Sequence, residues 1–181
     1  MLLRGHPADP VDRWQRLAAR DHVVVAPGWG RADGGLAWPS DDEIDEQMST
    51  LAHSAVHVNI CSSMAIDGAA FDRPVITPTF VPGAPASRRR RVRSLYRQEH
   101  WQPIARSGGV VAVADEASLA AAIDRALAHP ELGREGRRRL VADLLTFDDG
   151  RASGRVVAEV ADLLRGTGAD AERDGAAGPP A

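Results

Sequence analysis

Among 181 residues there is no lysine, and all 22 basic positions are arginine. That absence fits a GC-rich coding bias and points to no function. There is one cysteine, Cys61, which excludes an internal disulfide framework and is compatible with a reducing compartment. It lies in an apolar run, as a packed core thiol would. No run approaches the roughly 18 apolar residues that a membrane span needs, and the N-terminus lacks a charged region followed by a long apolar core. The formal net charge of -3 supplies no global basic field, which argues against nucleic acid as a partner. Also missing are a GxGxxG, a P-loop and a G-x-S-x-G elbow. His53 and His57 share no helical face with a further ligand, so no metal site and no cofactor are expected. These absences describe a soluble, cytoplasmic protein.

With 44% hydrophobic and 26% charged residues, the chain can bury one core as a single domain. Short apolar runs alternate with helical periods. Strands are expected in "MLLRGHP", "DHVVVAPGWG", "AVHVNI", "RPVITPTF" and "VVAVAD". Between them lie a helix over residues 7–20, a glycine-rich loop over 30–40, a helix capped by Ser40 or Asp41, and the small-residue helix "MAIDGAAFD". "EASLAAAIDRALAHP" is a periodic helix with Leu119, Ile123, Ala126 and Leu127 on its buried stripe, and two further helices follow it. Residues 81–93 read as a mobile arginine-rich loop and residues 166–181 as a disordered tail. The alternation predicts an α/β fold, a Rossmann-like doubly wound parallel sheet. In such folds ligands bind beyond the carboxyl ends of the strands.

That rule directs attention to Arg4 and His6 after the first strand, Ser62 and Ser63 after the third, and Asp115 after the fifth. A helix N-terminus is a ready anion site, and two serines there can both cap the helix and donate to a phosphate. Asp67, one turn on, suits the hydroxyls of a ribose. The structural alternative is equally open: Ser63 as a plain N-cap and Asp67 as a first-turn acid. His6 beside Arg4 suits a diphosphate or proton transfer, and His100 in "YRQEHWQP" offers the same chemistry or a structural histidine. Arg88, Arg89, Arg90, Arg91 and Arg93 read as a solvated loop, or as a contact for an anionic donor, an acceptor polymer or the inner face of a membrane.

Four stretches, in order over residues 1–165, carry a resemblance: R-x-H-P at Arg4 to Pro7, "VNICSSMAID", "FDRPVI" and "EHWQPIARSGGVVAVADEASLAAAI". The chain resembles the C-terminal, donor-binding half of GT-B glycosyltransferases, in the branch of the CDP-glycerol glycerophosphotransferases and surface-carbohydrate transferases. UDP-N-acetylglucosamine 2-epimerases are more distant kin. The resemblance implies a nucleotide-activated sugar or CDP-glycerol as donor and a surface-carbohydrate or lipid-linked acceptor. It also implies an N-terminal acceptor domain that this chain, starting abruptly in a strand, does not include. Ser62, Ser63 and Asp67 would then hold the nucleotide, and Arg4, His6 and His100 would stabilise the departing diphosphate. The family usually has an aspartate and a tyrosine just before the serines, where this chain has Ile60 and Cys61. An epimerase of the same fold and a non-catalytic nucleotide-binding module are the alternatives.

Overall fold

The computed structural model describes residues 1–6, 14–26, 39–147 and 149–174, with the side chains of the last helix described to residue 165. Most of the expected 7–20 helix and 30–40 loop lie outside these residues. Of that helix, the described part contains a single 3-10 turn at Gln15–Leu17.

Short parallel strands and helices alternate as the periodicity predicts. Strand β1 (Leu2–Arg4) pairs in parallel with β2 (Val24–Ala26), and β3 (His57–Val58), β4 (Val75–Pro78) and β5 (Val110–Val113) form a second parallel sheet in the order β3-β4-β5. One continuous sheet was the expectation, whereas hydrogen bonding among the described residues makes two. With only two residues, β3 offers its ladder little edge beyond the one β4 takes.

Helix α1 (Asp41–His53) begins with a capping box: the Ser40 hydroxyl accepts from the Glu43 amide, and the Glu43 carboxylate accepts from the Ser40 amide. The S-x-x-E spacing announces this start. The inward face carries Gln47 and Leu51, while Ile44 is 41% exposed. Helix α2 (Met64–Ala70) lies on β3 and β4 through Ala65, Gly68 and Ala69. A Cβ on Gly68 would come within 2.5 Å of His57 Nδ1. The small residues thus seat the helix on the sheet.

Residues 86–93, expected in a mobile loop, belong to a helix, α3 (Ala86–Leu95). Arginine is a good helix former, and Val92 and Leu95 turn partly inward while the arginines face out. A short turn and α4 (Gln102–Arg106) follow, then β5 and α5 (Glu116–Ala128). The expected buried stripe of α5 is only half covered, and its Leu127 is 55% exposed. The last two helices are α6 (Arg134–Leu144) and α7 (Ala152–Asp174). Helix α7 runs into the segment where the composition predicts a disordered tail. No helix among the described residues is long and apolar enough to cross a membrane.

The core gathers where α2 and α6 meet β4 and α4: Ala65, Ala69, Val75, Trp101, Ile104 and Leu140. Two glycines let α6 approach the start of β5. A Cβ on Gly136 would fall 2.2 Å from the Gly108 carbonyl carbon, and one on Gly109 would fall 2.6 Å from the Arg137 amide nitrogen. No side chain fits between these backbones.

Beside this contact, Arg137 is 1% exposed. Its Nε donates to Asp72 Oδ1 at 2.9 Å, and its terminal nitrogens donate to the carbonyls of Leu132 and Pro130 at 2.8 and 2.9 Å. Arg134 donates to the other Asp72 oxygen at 2.7 Å. A buried charge is tolerated only when paired and hydrogen-bonded, and this one is both. Asp72 itself has φ 53°, a left-handed conformation that aspartate accepts more readily than most residues. The "FDRP" motif therefore closes the α2–β4 turn onto the start of α6.

Candidate functional site

The connection from β3 to α2 is the best-built part of the carboxyl rim. Cys61 has φ 45°, an unusual left-handed turn for a residue with a side chain, costing roughly 1–2 kcal/mol. Neighbours hold it there. The Cys61 amide donates to Thr77 Oγ1 at 3.4 Å, and that hydroxyl lies 2.9 Å from Tyr96 Oη. The Tyr96 hydroxyl in turn donates to the Pro78 carbonyl at 2.7 Å. With that proton committed, Thr77 donates to Tyr96. Burial pushes the Tyr96 hydroxyl above its ordinary value, against the hydrogen bond from Thr77, so the donor keeps its proton. Trp101 meets Tyr96 edge-on, with ring centroids 5.5 Å apart.

Beyond the turn, the half-buried Ser62 accepts a hydrogen bond from the Met64 amide at 3.3 Å. Ser63 occupies the N-cap position, but its backbone is already helical and its hydroxyl caps nothing. The exposed Ser63 hydroxyl is therefore open to other partners. Cys61 is half-buried, and desolvation raises its thiol above the ordinary value.

The Asp67 carboxylate makes no hydrogen bond among the described residues. Desolvation raises its carboxyl, and the nearby His57 opposes the rise. His57 is 7% exposed and donates through Nε2 to the Leu51 carbonyl at 2.9 Å, leaving Nδ1 as a buried acceptor without a partner. Burial lowers the His57 imidazole, the Leu51 bond raises it, and Arg73 and Asp67 pull in opposite directions. The pair formed by Asp67 and His57 was not foreseen in the sequence. Its only signal there is the small residue, Gly68, that lets them approach.

The structure gathers Ser62, Ser63 and Asp67 on one short helix and its lead-in, as the spacing predicts. The other expected site residues belong to other elements. Arg4, at the end of β1, directs its guanidinium to Glu46 at 2.8 Å and Thr50 at 3.5 Å on α1. His6 is exposed just past β1. His100 sits exposed in the one-turn helix Glu99–Trp101 and its side chain makes no hydrogen bond among the described residues, while its neighbour Trp101 is buried. Asp115 is spent on structure: its carboxylate accepts from the Ser118 amide at 2.7 Å and caps α5. An open groove between α4 and α6, lined by Gln102, Arg106, Arg139 and Asp143, contains none of the expected site residues. No group of three or more His, Cys, Asp or Glu among the described residues is arranged to hold a metal ion.

No family model matches the chain, and no curated protein and no solved structure matches it.

Proposed function

We propose that this chain is the donor-binding half of a GT-B transferase, with the doubly wound sheet of that fold. It moves a glycosyl or glycerol-phosphate group from a nucleotide-activated donor to a surface-carbohydrate or lipid-linked acceptor held by an N-terminal acceptor domain. Such an enzyme works in the cytoplasm, beside the membrane that carries its acceptor. The observation that carries the reading is the start of α2. A hydroxyl that caps nothing, at Ser63, stands beside backbone amides at a helix N-terminus, and Asp67 keeps a carboxylate without a hydrogen bond one turn away. Phosphate fits the first position and a ribose diol the second.

In this reading, Ser62 and Ser63 donate to the donor diphosphate, and the positive end of α2 offsets the charge that grows as the bond to the transferred group breaks. Arg4 joins them when phosphate displaces Glu46. His6 and His100 supply protons or positive charge to the leaving diphosphate. An acceptor hydroxyl is the nucleophile.

Calorimetry with CDP, UDP, GDP and ADP tests the donor site, with a Ser63→Ala, Asp67→Asn double variant alongside. Binding of one nucleotide, weakened at least about tenfold in the variant, a loss of about 1.4 kcal/mol, supports the reading. Binding of none, or equal binding by wild type and variant, removes it. Epimerised product formed from a nucleotide sugar alone would reassign the same site to an epimerase.

A further inference from the structure

We infer that α3 is a docking surface for a flexible, linear phosphate polymer without nucleobases, set at the rim of the sheet. This stands whether or not α2 binds a nucleotide. Arg88, Arg90, Arg91 and Arg93 are all exposed, and none of their guanidinium groups makes an ion pair or a hydrogen bond among the described residues. Arg89 donates to the Ala84 carbonyl at 2.5 Å and so helps to fix the start of the helix. Helix α3 contains no acidic residue. Arg88 and Arg91, and Arg90 and Arg93, are like charges three residues apart, where they repel. Arg88 also lies in the first turn, where the helix dipole disfavours a cation. A helix that keeps such charges unneutralised, in a chain of net charge -3, is built to meet anions from outside.

Its C-terminal end is anchored. Tyr96, which ends α3, is bonded to Thr77 and Pro78 at the carboxyl end of β4. The C-terminal end of the basic helix is therefore held at the rim.

The arrangement of charge selects the partner. Counting from Arg88, the helical period puts Arg93, Arg90 and Arg91 about 140°, 200° and 300° round the axis. A flat bilayer meets one side of a helix and would leave some of these guanidinium groups unused. The apolar side chains Val92 and Leu95 are turned partly inward, so α3 offers a bilayer no exposed apolar wedge. A flexible chain of phosphates can follow the charge round the helix, and each planar guanidinium can grip a phosphate through two N–H groups.

The test uses inorganic polyphosphate as probe, with orthophosphate, phosphatidylglycerol vesicles and single-stranded DNA in parallel. The intact chain is compared with a quadruple Gln variant at Arg88, Arg90, Arg91 and Arg93, and with a quadruple Lys variant at the same positions. All four side chains are exposed, and far-UV circular dichroism verifies that both variants fold. Polyphosphate should bind the wild-type chain far more tightly than orthophosphate does. Four neutralised phosphates predict an affinity loss of roughly 50-fold between 50 and 200 mM salt. The Gln variant should lose both the affinity and most of that slope, and the Lys variant should keep the slope while binding more weakly.

Equal polyphosphate binding by the wild type and the Gln variant overturns the inference. So does arginine-dependent capture by vesicles without polyphosphate binding, or a preference for DNA over polyphosphate at equal phosphate concentration. A salt-sensitive dimer, lost in the Gln variant and indifferent to polyphosphate, would also overturn it and assign the arginines to the acidic α1 of a second copy.

Discussion

Strands β2 and β4 read alike, "VVA" and "VITP", and pair in parallel, yet they live in different surroundings. All four residues of β4 are buried, whereas Val24 of β2 is 63% exposed. The difference lies in neighbours. Among the described residues, β4 has a strand on each side and helices packed around it, and β2 has β1 as its strand partner. Hydrophobicity admits a residue to the interior, but the number of elements that close over it decides how much water is removed. The β3-β4-β5 sheet with α2 and α6 is thus the stable body, and the β1-β2 pair is joined to α1 through Arg4 and Glu46.

The sharpest way to break that contrast is to part α6 from β5. Gly136→Ala sets a methyl against backbone that cannot move aside, and a loss of about 3 kcal/mol or more is expected, read as a lower urea midpoint. Arg137→Met comes next. It leaves the Leu132 and Pro130 carbonyls without their donors and should destabilise by roughly 2–4 kcal/mol. Recovery of full stability in this variant would mean that Arg137 merely fills space.

Acid should act on the same body in two stages. His57 sits below its ordinary value near 6.5, mainly through burial. The unfolded chain therefore takes up that proton first, and stability declines as pH falls from about 6.5 towards the lower folded value. For Asp72, burial raises the carboxyl, but the hydrogen bonds and charges of Arg137 and Arg134 outweigh it and hold the group below its ordinary 3.8. Its contribution is present above 3.8 and is lost as pH falls through the folded value. Urea midpoints across the acid range should show both stages, with the second flattened in Asp72→Asn.

Glu46→Ala tests the other side of the comparison and should cost no more than about 1 kcal/mol, since the glutamate is exposed. Its effect should be confined to faster amide hydrogen exchange in β1 and β2, with β4 unchanged. Asp67→Asn is expected to leave stability at pH 7 unchanged or slightly raised, because the native carboxylate is partly desolvated, while it weakens nucleotide binding. A thermal melt beside calorimetry separates the two effects.

How much of this was legible in the sequence follows from the physics of each signal. Capping is local, so Ser40 with Glu43, three residues on, could be read directly. The two serines and the aspartate of α2 were legible because the break after an apolar strand fixes where the helix starts. Arg137 was hidden: an arginine in "REGRRRL" reads as surface, and only contact with Asp72, 65 positions away, makes it interior. Helix α3 was missed for the opposite reason, since five arginines mask the weak inward period of Val92 and Leu95. Arg4 was placed correctly at a strand end, but its pairing with Glu46 depends on how α1 lies against β1, and no local pattern encodes that.

The contact between residues 109 and 136 also has a mechanical consequence. The chain leaves that point as β5, runs through α5 and comes back to it, so tension drawn along α6 from the C-terminal side can pass across the two glycines. While that fastening holds, residues 110–135 are short-circuited and bear little load. A pulling experiment should therefore show their length released in one step when the fastening gives way.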